Sequence, residues 1–138
     1  QISYMLNLFY SEKSLKEQMQ KLNHVFLIAG NSSGENVGFV SYSLINEDET
    51  AKKFRLHKIY VLPSEQGSGL GKKLIDEIFF RMRSMTENKK SLSLELNVNR
   101  YNNARFFYEK LGFQITREED IDIGNGFFMN DFVMQKAF

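Results

Sequence analysis

A run of seven residues, Gln66-Gly67-Ser68-Gly69-Leu70-Gly71-Lys72, separates two segments of different periodicity. Leu56 to Leu62, before it, is rich in β-branched and aromatic residues and is stopped by Pro63 and Ser64. After it, Leu70, Leu74, Ile75, Ile78, Phe79, Met82 and Met85 form the apolar stripe of one helical face. A glycine loop therefore opens a helix. Glycine lets the chain turn tightly and approach a ligand closely. The first helical amides lack intrahelical acceptors and sit at the positive end of the helix dipole. This combination suits a phosphate or pyrophosphate. Two common phosphate motifs fail on spacing. A P-loop requires a glycine, four intervening residues and then Gly-Lys-Ser/Thr; the first position is Gln66, and Lys72 is followed by Lys73, which has no hydroxyl for magnesium. The dinucleotide fingerprint requires a third glycine three residues after the second, where Lys72 stands. What remains is Gln-x-x-Gly-x-Gly.

A second stretch follows in order, Asn102-Asn103-Ala104-Arg105-Phe106-Phe107-Tyr108-Glu109-Lys110-Leu111-Gly112-Phe113. Together the two segments resemble the signatures of the GNAT superfamily of N-acetyltransferases, from about Val25 to the C-terminus. The stretches Leu56 to Pro63 and Leu96 to Asn99 are similar to bacterial, polyamine-acetylating members. The resemblance implies a mixed α/β (α+β) acyl-CoA N-acyltransferase fold, with a mostly antiparallel sheet flanked by helices. The family places a strand and a helix before the segment seen here, and the chain starts at Gln1; that first unit is expected to be missing.

The resemblance also implies a co-substrate, acetyl-CoA, and no metal. The backbone of Ile59, Tyr60 and Val61 would bond the pantetheine arm as an added strand would. The loop Gln66, Gly67, Ser68, Gly69, Leu70, Gly71 and Lys72 would hold the pyrophosphate. Asn97, Asn102, Phe107 and Lys110 complete the expected cofactor contacts. Tyr108 matches the family tyrosine that protonates the leaving thiolate, and its phenol, near pKa 10, holds its proton until sulfur carries charge. Tyr108 also shares a helical face with Ala104 and Leu111, as a core aromatic would.

The base is less determined. Many members use a Glu on the strand before the glycine loop, and this strand has no carboxylate. Simple alternation puts Arg55, His57, Ile59 and Val61 on one face and Leu56, Lys58 and Tyr60 on the other. His57 stands where the Glu commonly stands and has a suitable intrinsic pKa. Glu95 is a second candidate, and a water chain is a third. The expected reaction is direct attack by a primary amine of a small molecule or peptide in a ternary complex. A catalytically silent acetyl-CoA sensor is the alternative, favoured by the missing carboxylate.

The remaining residues set bounds. The 138 residues suit one domain, and 42% hydrophobic with 25% charged residues is ordinary for a globular chain. A net charge of +1 gives no bulk attraction to nucleic acid or acidic membrane. No apolar run approaches the roughly 20 residues of a membrane span, and a cytoplasmic setting is expected. The absence of cysteine excludes thiolate chemistry, and no His/Asp/Glu spacing reads as a metal site. His24 reads as a loop residue. Glu47-Asp48-Glu49, Asp120, Asp122 and Asp131 could attract a cationic amine or simply be solvated. An apolar final strand could serve a homodimer. Helices are expected over about 11–22, 69–87 and 102–111. Strands are expected over 25–29, 37–44, 54–61, 92–98, 113–117 and 127–135.

Overall fold

The computed structural model describes residues 11–138, and the expected N-terminal strand–helix unit lies outside them. Helix α1 (Glu12–Gln20) is capped by the Ser11 side chain, which accepts from the Ser14 amide. Three antiparallel strands follow, β1 (Val25–Gly30), β2 (Asn36–Glu47) and β3 (Ala51–Val61). The acidic connection between β2 and β3 is a tight turn in which Asp48 Oδ1 accepts from the amides of Thr50 and Ala51. That turn lets both strands run further than hydrophobicity alone indicated.

Strand β4 (Ser91–Asn99) pairs parallel with β3, so the chain must cross back between them. Helix α2 (Leu70–Ser84) makes the crossing. It buries Leu74, Ile75, Ile78 and Met82 in one cluster with Val40, Tyr42, Phe54, Leu56, Leu92, Leu94 and Leu96. The helix stops three residues earlier than its pattern suggested, and Met85 falls off the buried stripe into solvent. A short helix, α3 (Ala104–Lys110), and a hairpin of β5 (Gln114–Gly124) and β6 (Phe127–Ala137) complete a six-stranded sheet of order β1-β2-β3-β4-β6-β5. All pairings except β3–β4 are antiparallel. This is the mixed, mostly antiparallel α/β architecture expected. Strand β5 is much longer than expected because Glu118 to Asp122 pair with β6 through their backbone while their mostly exposed charges protect a sheet edge. Among the described residues, no helix is long and apolar enough to cross a membrane.

The alternation expected for β3 fails at one place. Ser41 and Tyr42 are adjacent on β2, but their partners are Lys58 and Leu56, so His57 is an extra residue on β3. Such a bulge shifts the side-chain parity by one beyond it. Ile59 and Val61 therefore join Leu56 against the core cluster. Lys58 sits on the opposite face, 8% exposed, with its ammonium donating to Gln18 Oε1 of α1 and lying over the Phe26 ring.

Candidate active site

The same bulge marks the place where the sheet opens. The parallel ladder between β3 and β4 ends at Leu56 and Leu96. Beyond it β3 remains paired to β2 as far as Val61, and β4 to β6 as far as Asn99. Residues 57–61 and 97–99 thus face a gap with unpaired backbone edges. A bulge sharpens local twist and bends its strand, which accounts for β3 leaving β4 at this point. The gap is part of a cleft of about 660 Å³ that also takes in the glycine loop and α3.

At one end of the cleft lies the start of α2. Gly67 and Gly69 have φ of 84° and 85°, in the left-handed region that other residues adopt at a cost. Gly69 is the N-cap and supplies no capping side chain, and no acidic residue occupies the first turn. The first intrahelical bond runs from the Lys73 amide to the Gly69 carbonyl. The amides of Leu70, Gly71 and Lys72 are thus left for a ligand at the positive end of the helix. The Ser68 amide is already used by the Glu65 carbonyl. Gly71 has a different reason: a Cβ there would lie 3.0 Å from the Phe107 ring, so its absence lets α3 approach α2.

That approach places Tyr108 in the cleft. Its ring is 7% exposed and makes edge contacts with Phe107 and Phe113, so it is both a core aromatic and part of the lining. Burial pushes its phenol up to about 12. The group is therefore fully protonated at neutral pH. Asn102 also lines the cleft, although its Oδ1 is occupied by the Ala104 amide at the start of α3. Ile59, Val61, Gln66, Gly67, Gly69, Leu70, Gly71, Asn97 and Phe107 line it as well. Four expected contacts do not. Tyr60 turns to the other face, toward Phe39, because of the bulge. The Ser68 hydroxyl donates to the Glu65 carbonyl. The Lys72 ammonium is paired with Asp76, 2.7 Å away, one turn along the helix. Lys110 is exposed at the end of α3.

The far side of the gap is polar. His57 Nε2 is 2.7 Å from Ser43 Oγ. The ring of His24, read from the sequence as a loop residue, stacks on His57 with centroids 3.7 Å apart and planes 11° from parallel. No spacing signal links residues 24 and 57; the pairing of β1, β2 and β3 brings them together. Burial, with His24, Arg55 and Lys58 nearby, lowers His57 to about 4. It is therefore a neutral imidazole near pH 7 and holds a proton weakly. Glu95 is only 2% exposed and is bound by Arg55, with Lys53 at 3.8 Å and Arg117 at 3.9 Å. The carboxylate is thus committed to three cations. Asn97 donates to Glu119 at 3.4 Å and to Asp131 at 3.2 Å. Four buried polar atoms on this side have no protein partner among the described residues: His24 Nδ1, Ser41 Oγ, Arg55 Nε and Asn97 Oδ1.

An open parallel pair, a glycine-opened helix and a protonated tyrosine thus meet in one cleft. The sequence pattern of the acetyltransferase (GNAT) domain matches residues 22–115. The chain belongs to the GNAT acetyltransferase family. It is 32% identical, over 92 residues, to a ribosomal protein bS18 alanine N-acetyltransferase of Haemophilus influenzae. That match takes in 67% of this chain and 53% of the relative, so the chain spans about half the length of the curated relative it matches. Among solved structures it is similar to the PaiA N-acetyltransferase of Thermoplasma acidophilum in complex with coenzyme A. The TM-score is 0.72 at 27% identity, covering 99% of this chain and 77% of that one. Ard1 from Thermoplasma volcanium shares the fold, with a TM-score of 0.72 at 22% identity over 93% of this chain and 80% of that one.

Proposed function

We propose that the protein is an acetyl-CoA-dependent N-acetyltransferase acting as a single domain on a primary amine of a small molecule or peptide. The observation that carries this reading is the gap opening beyond Leu56 and Leu96, with the free amides of α2 at one end and Tyr108 beside it. The residues present fit the co-substrate. Amides with no carboxylate among them suit a diphosphate, and unpaired strand edges suit an amide-bearing arm. When bound, acetyl-CoA supplies an acyl group activated as a thioester.

The overall balance is an ammonium plus a thioester giving an amide, a free thiol and one proton released. The chain contributes in three ways. The α2 amides and the β3 edge hold two ends of a long ligand, which positions its reacting carbon. Tyr108 gives its phenolic proton to the departing sulfur, and the second proton shed by the nitrogen restores the phenol. The acceptor's proton leaves through water in the open cleft, because His57 binds protons weakly and Glu95 is held by three cations. The closeness to polyamine-acetylating bacterial proteins, the cytoplasmic setting and a homodimer belong to this proposal as well. The named relative that acts on an alanine of a ribosomal protein supports a peptide acceptor equally.

The test is thiol release from acetyl-CoA in the presence of polyamines, amino acids, aminoglycosides and short peptides. The chain has no cysteine and adds no thiol background. Turnover with one class supports the reading and identifies the acceptor. That His57, the histidine lining the cleft, binds protons weakly favours a second reading, a silent acetyl-CoA sensor. Tight acetyl-CoA binding with no turnover on any amine would select that one.

A further inference from the structure

Asn97 is the first β4 residue past the last rung of the β3–β4 ladder, and it lines the cleft together with Tyr108. The orientation of its amide is fixed by chemistry. Its nitrogen points to Glu119 and Asp131, and carboxylates only accept hydrogen bonds. Its Oδ1 is therefore the atom left over, and that oxygen is buried with no donor among the described residues. Buried carbonyl oxygens are almost always partnered, so an orphan in a cleft calls for an N–H from elsewhere.

Asp131 shows the same deficit in charge. It is 2% exposed, its recorded side-chain partner is the neutral amide of Asn97, and no cation of the described residues lies within ion-pair distance. Burial, then the neighbouring Glu119, raises its pKa, against the pull of the Asn97 bond and Arg100. Buried carboxylates are normally paired with a positive group. Glu119 is different, since Arg117 is 2.7 Å from it. Glu95, on the same face of β4, holds three cations. Asn97 Oδ1 thus lacks an N–H donor and the neighbouring Asp131 lacks a cation among the described residues, beside the cleft that Asn97 lines.

We propose that Asn97 Oδ1 orients the nitrogen of the acceptor amine, and that Asp131 is a positioning residue that fixes the amide and attracts the acceptor as an ammonium ion. This rests on the acetyl-transfer reading above, and it moves Asn97 from the cofactor side of the site to the acceptor side. The ammonium enters with one N–H on Asn97 Oδ1. Loss of another proton to water leaves the nitrogen held by the remaining bond, with its lone pair free to attack the thioester carbon. Pantetheine is neutral and gains little from the charge of Asp131, which is why the acceptor is assigned here.

The test compares a primary alkyl amine, charged at assay pH, with an aryl amine that is neutral there. Asn97→Ser and Asp131→Asn are each measured for KM toward both amines and for acetyl-CoA Kd. A lost bond to a charged group predicts that KM for the alkyl amine rises about tenfold or more. KM for the aryl amine should change far less in Asp131→Asn, and acetyl-CoA Kd should stay within about twofold. A purely structural role would not alter the ratio between the two amines. Equal loss for both amines in Asp131→Asn overturns the proposal. Weakened acetyl-CoA binding matching the KM effect returns Asn97 to the cofactor. A fall in Tm with unchanged KM makes the role of Oδ1 structural and also overturns it. Wild-type protein that neither binds nor turns over acetyl-CoA defeats the acetyl-transfer reading itself, whereas normal wild-type turnover with unaltered variants defeats this inference alone.

Discussion

The two sides of the cleft are built from different materials. The side proposed to receive the co-substrate is mostly backbone: the amides at the start of α2 and the unpaired edge of β3. Its features lie in three short continuous stretches, 59–61, 66–72 and 102–113. The opposite side is mostly side chains, and they come from distant parts of the chain. His24, Ser43, His57, Glu95, Asn97, Arg117, Glu119 and Asp131 come to one side only because β1, β2, β3, β4, β6 and β5 lie next to one another. A backbone site tolerates changes of side chain as long as the chain keeps its path. A side-chain network does not, because each member removed leaves a buried partner unmet. Substitutions should therefore sort by side.

Tyr108 belongs to the first side by sequence and is the exception to its rule, since the proposed reaction uses its hydroxyl. Tyr108→Phe keeps the ring against Phe107 and Phe113 and removes only the proton donor. A lost general acid should lower kcat by roughly 10²-fold with acetyl-CoA Kd nearly unchanged. Steady-state kinetics with binding by calorimetry would check it. A kcat within threefold of wild type would take Tyr108 out of the mechanism and leave it as a core residue.

The polar side should show itself through pH. His57 has a folded pKa lowered to about 4 from an ordinary 6.5, chiefly by burial. Between those values the unfolded chain binds a proton that the folded chain does not. The stability His57 contributes is thus complete above about pH 6.5 and drains away as pH falls toward 4. His24 is lowered in the same direction, first by burial and then by Lys58. Going from pH 7.5 to 5 should cost on the order of 1–2 kcal/mol from His57 alone, after allowance for screening. His57→Gln retains a partner for Ser43 and cannot titrate, so urea denaturation at the two pH values should show a smaller drop. An equal drop in the variant would place the acid sensitivity elsewhere.

The same contrast explains what could be seen before the structure. The glycine loop and the α3 segment were legible because their function depends on local order, namely glycines at fixed offsets, an N-terminus and a tyrosine one turn into a helix. The order and kind of the elements were legible from apolar periodicity. The His57 bulge was not, because a single extra residue leaves no mark in the alternation of Arg55, His57 and Ile59. That one residue reversed the faces assigned to Lys58, Ile59, Tyr60 and Val61. The stacking of His24 on His57, and the unpaired carboxylate of Asp131, depend on strand neighbours tens of residues apart. Strand β5 was cut short because Glu118 to Asp122 read as a solvated loop, when an edge strand needs such charges.

The smallest effect is expected for a residue whose side chain stands beside the backbone site. Lys72 looked from the sequence like a phosphate ligand. In the structure its ammonium is 2.7 Å from Asp76, four residues on, and both side chains are more than half exposed. Such a pair contributes about 0.3–0.5 kcal/mol to a helix. The diphosphate would instead meet the Leu70, Gly71 and Lys72 amides, which Lys72→Ala retains. The variant should lose no more than about 0.5 kcal/mol of stability, and its acetyl-CoA Kd should rise less than about threefold, the range of one screened surface charge. A rise of tenfold or more would mean that Lys72 leaves Asp76 for the ligand. The backbone would then share the work with a cationic side chain, and the division between the two sides of the cleft would be less sharp than the hydrogen bonding indicates. Asp76→Ala separates these cases from the other direction. It frees the ammonium without touching an amide, so a tighter Kd in that variant would show the same shared role, and an unchanged Kd would leave the loop as a site made by the main chain.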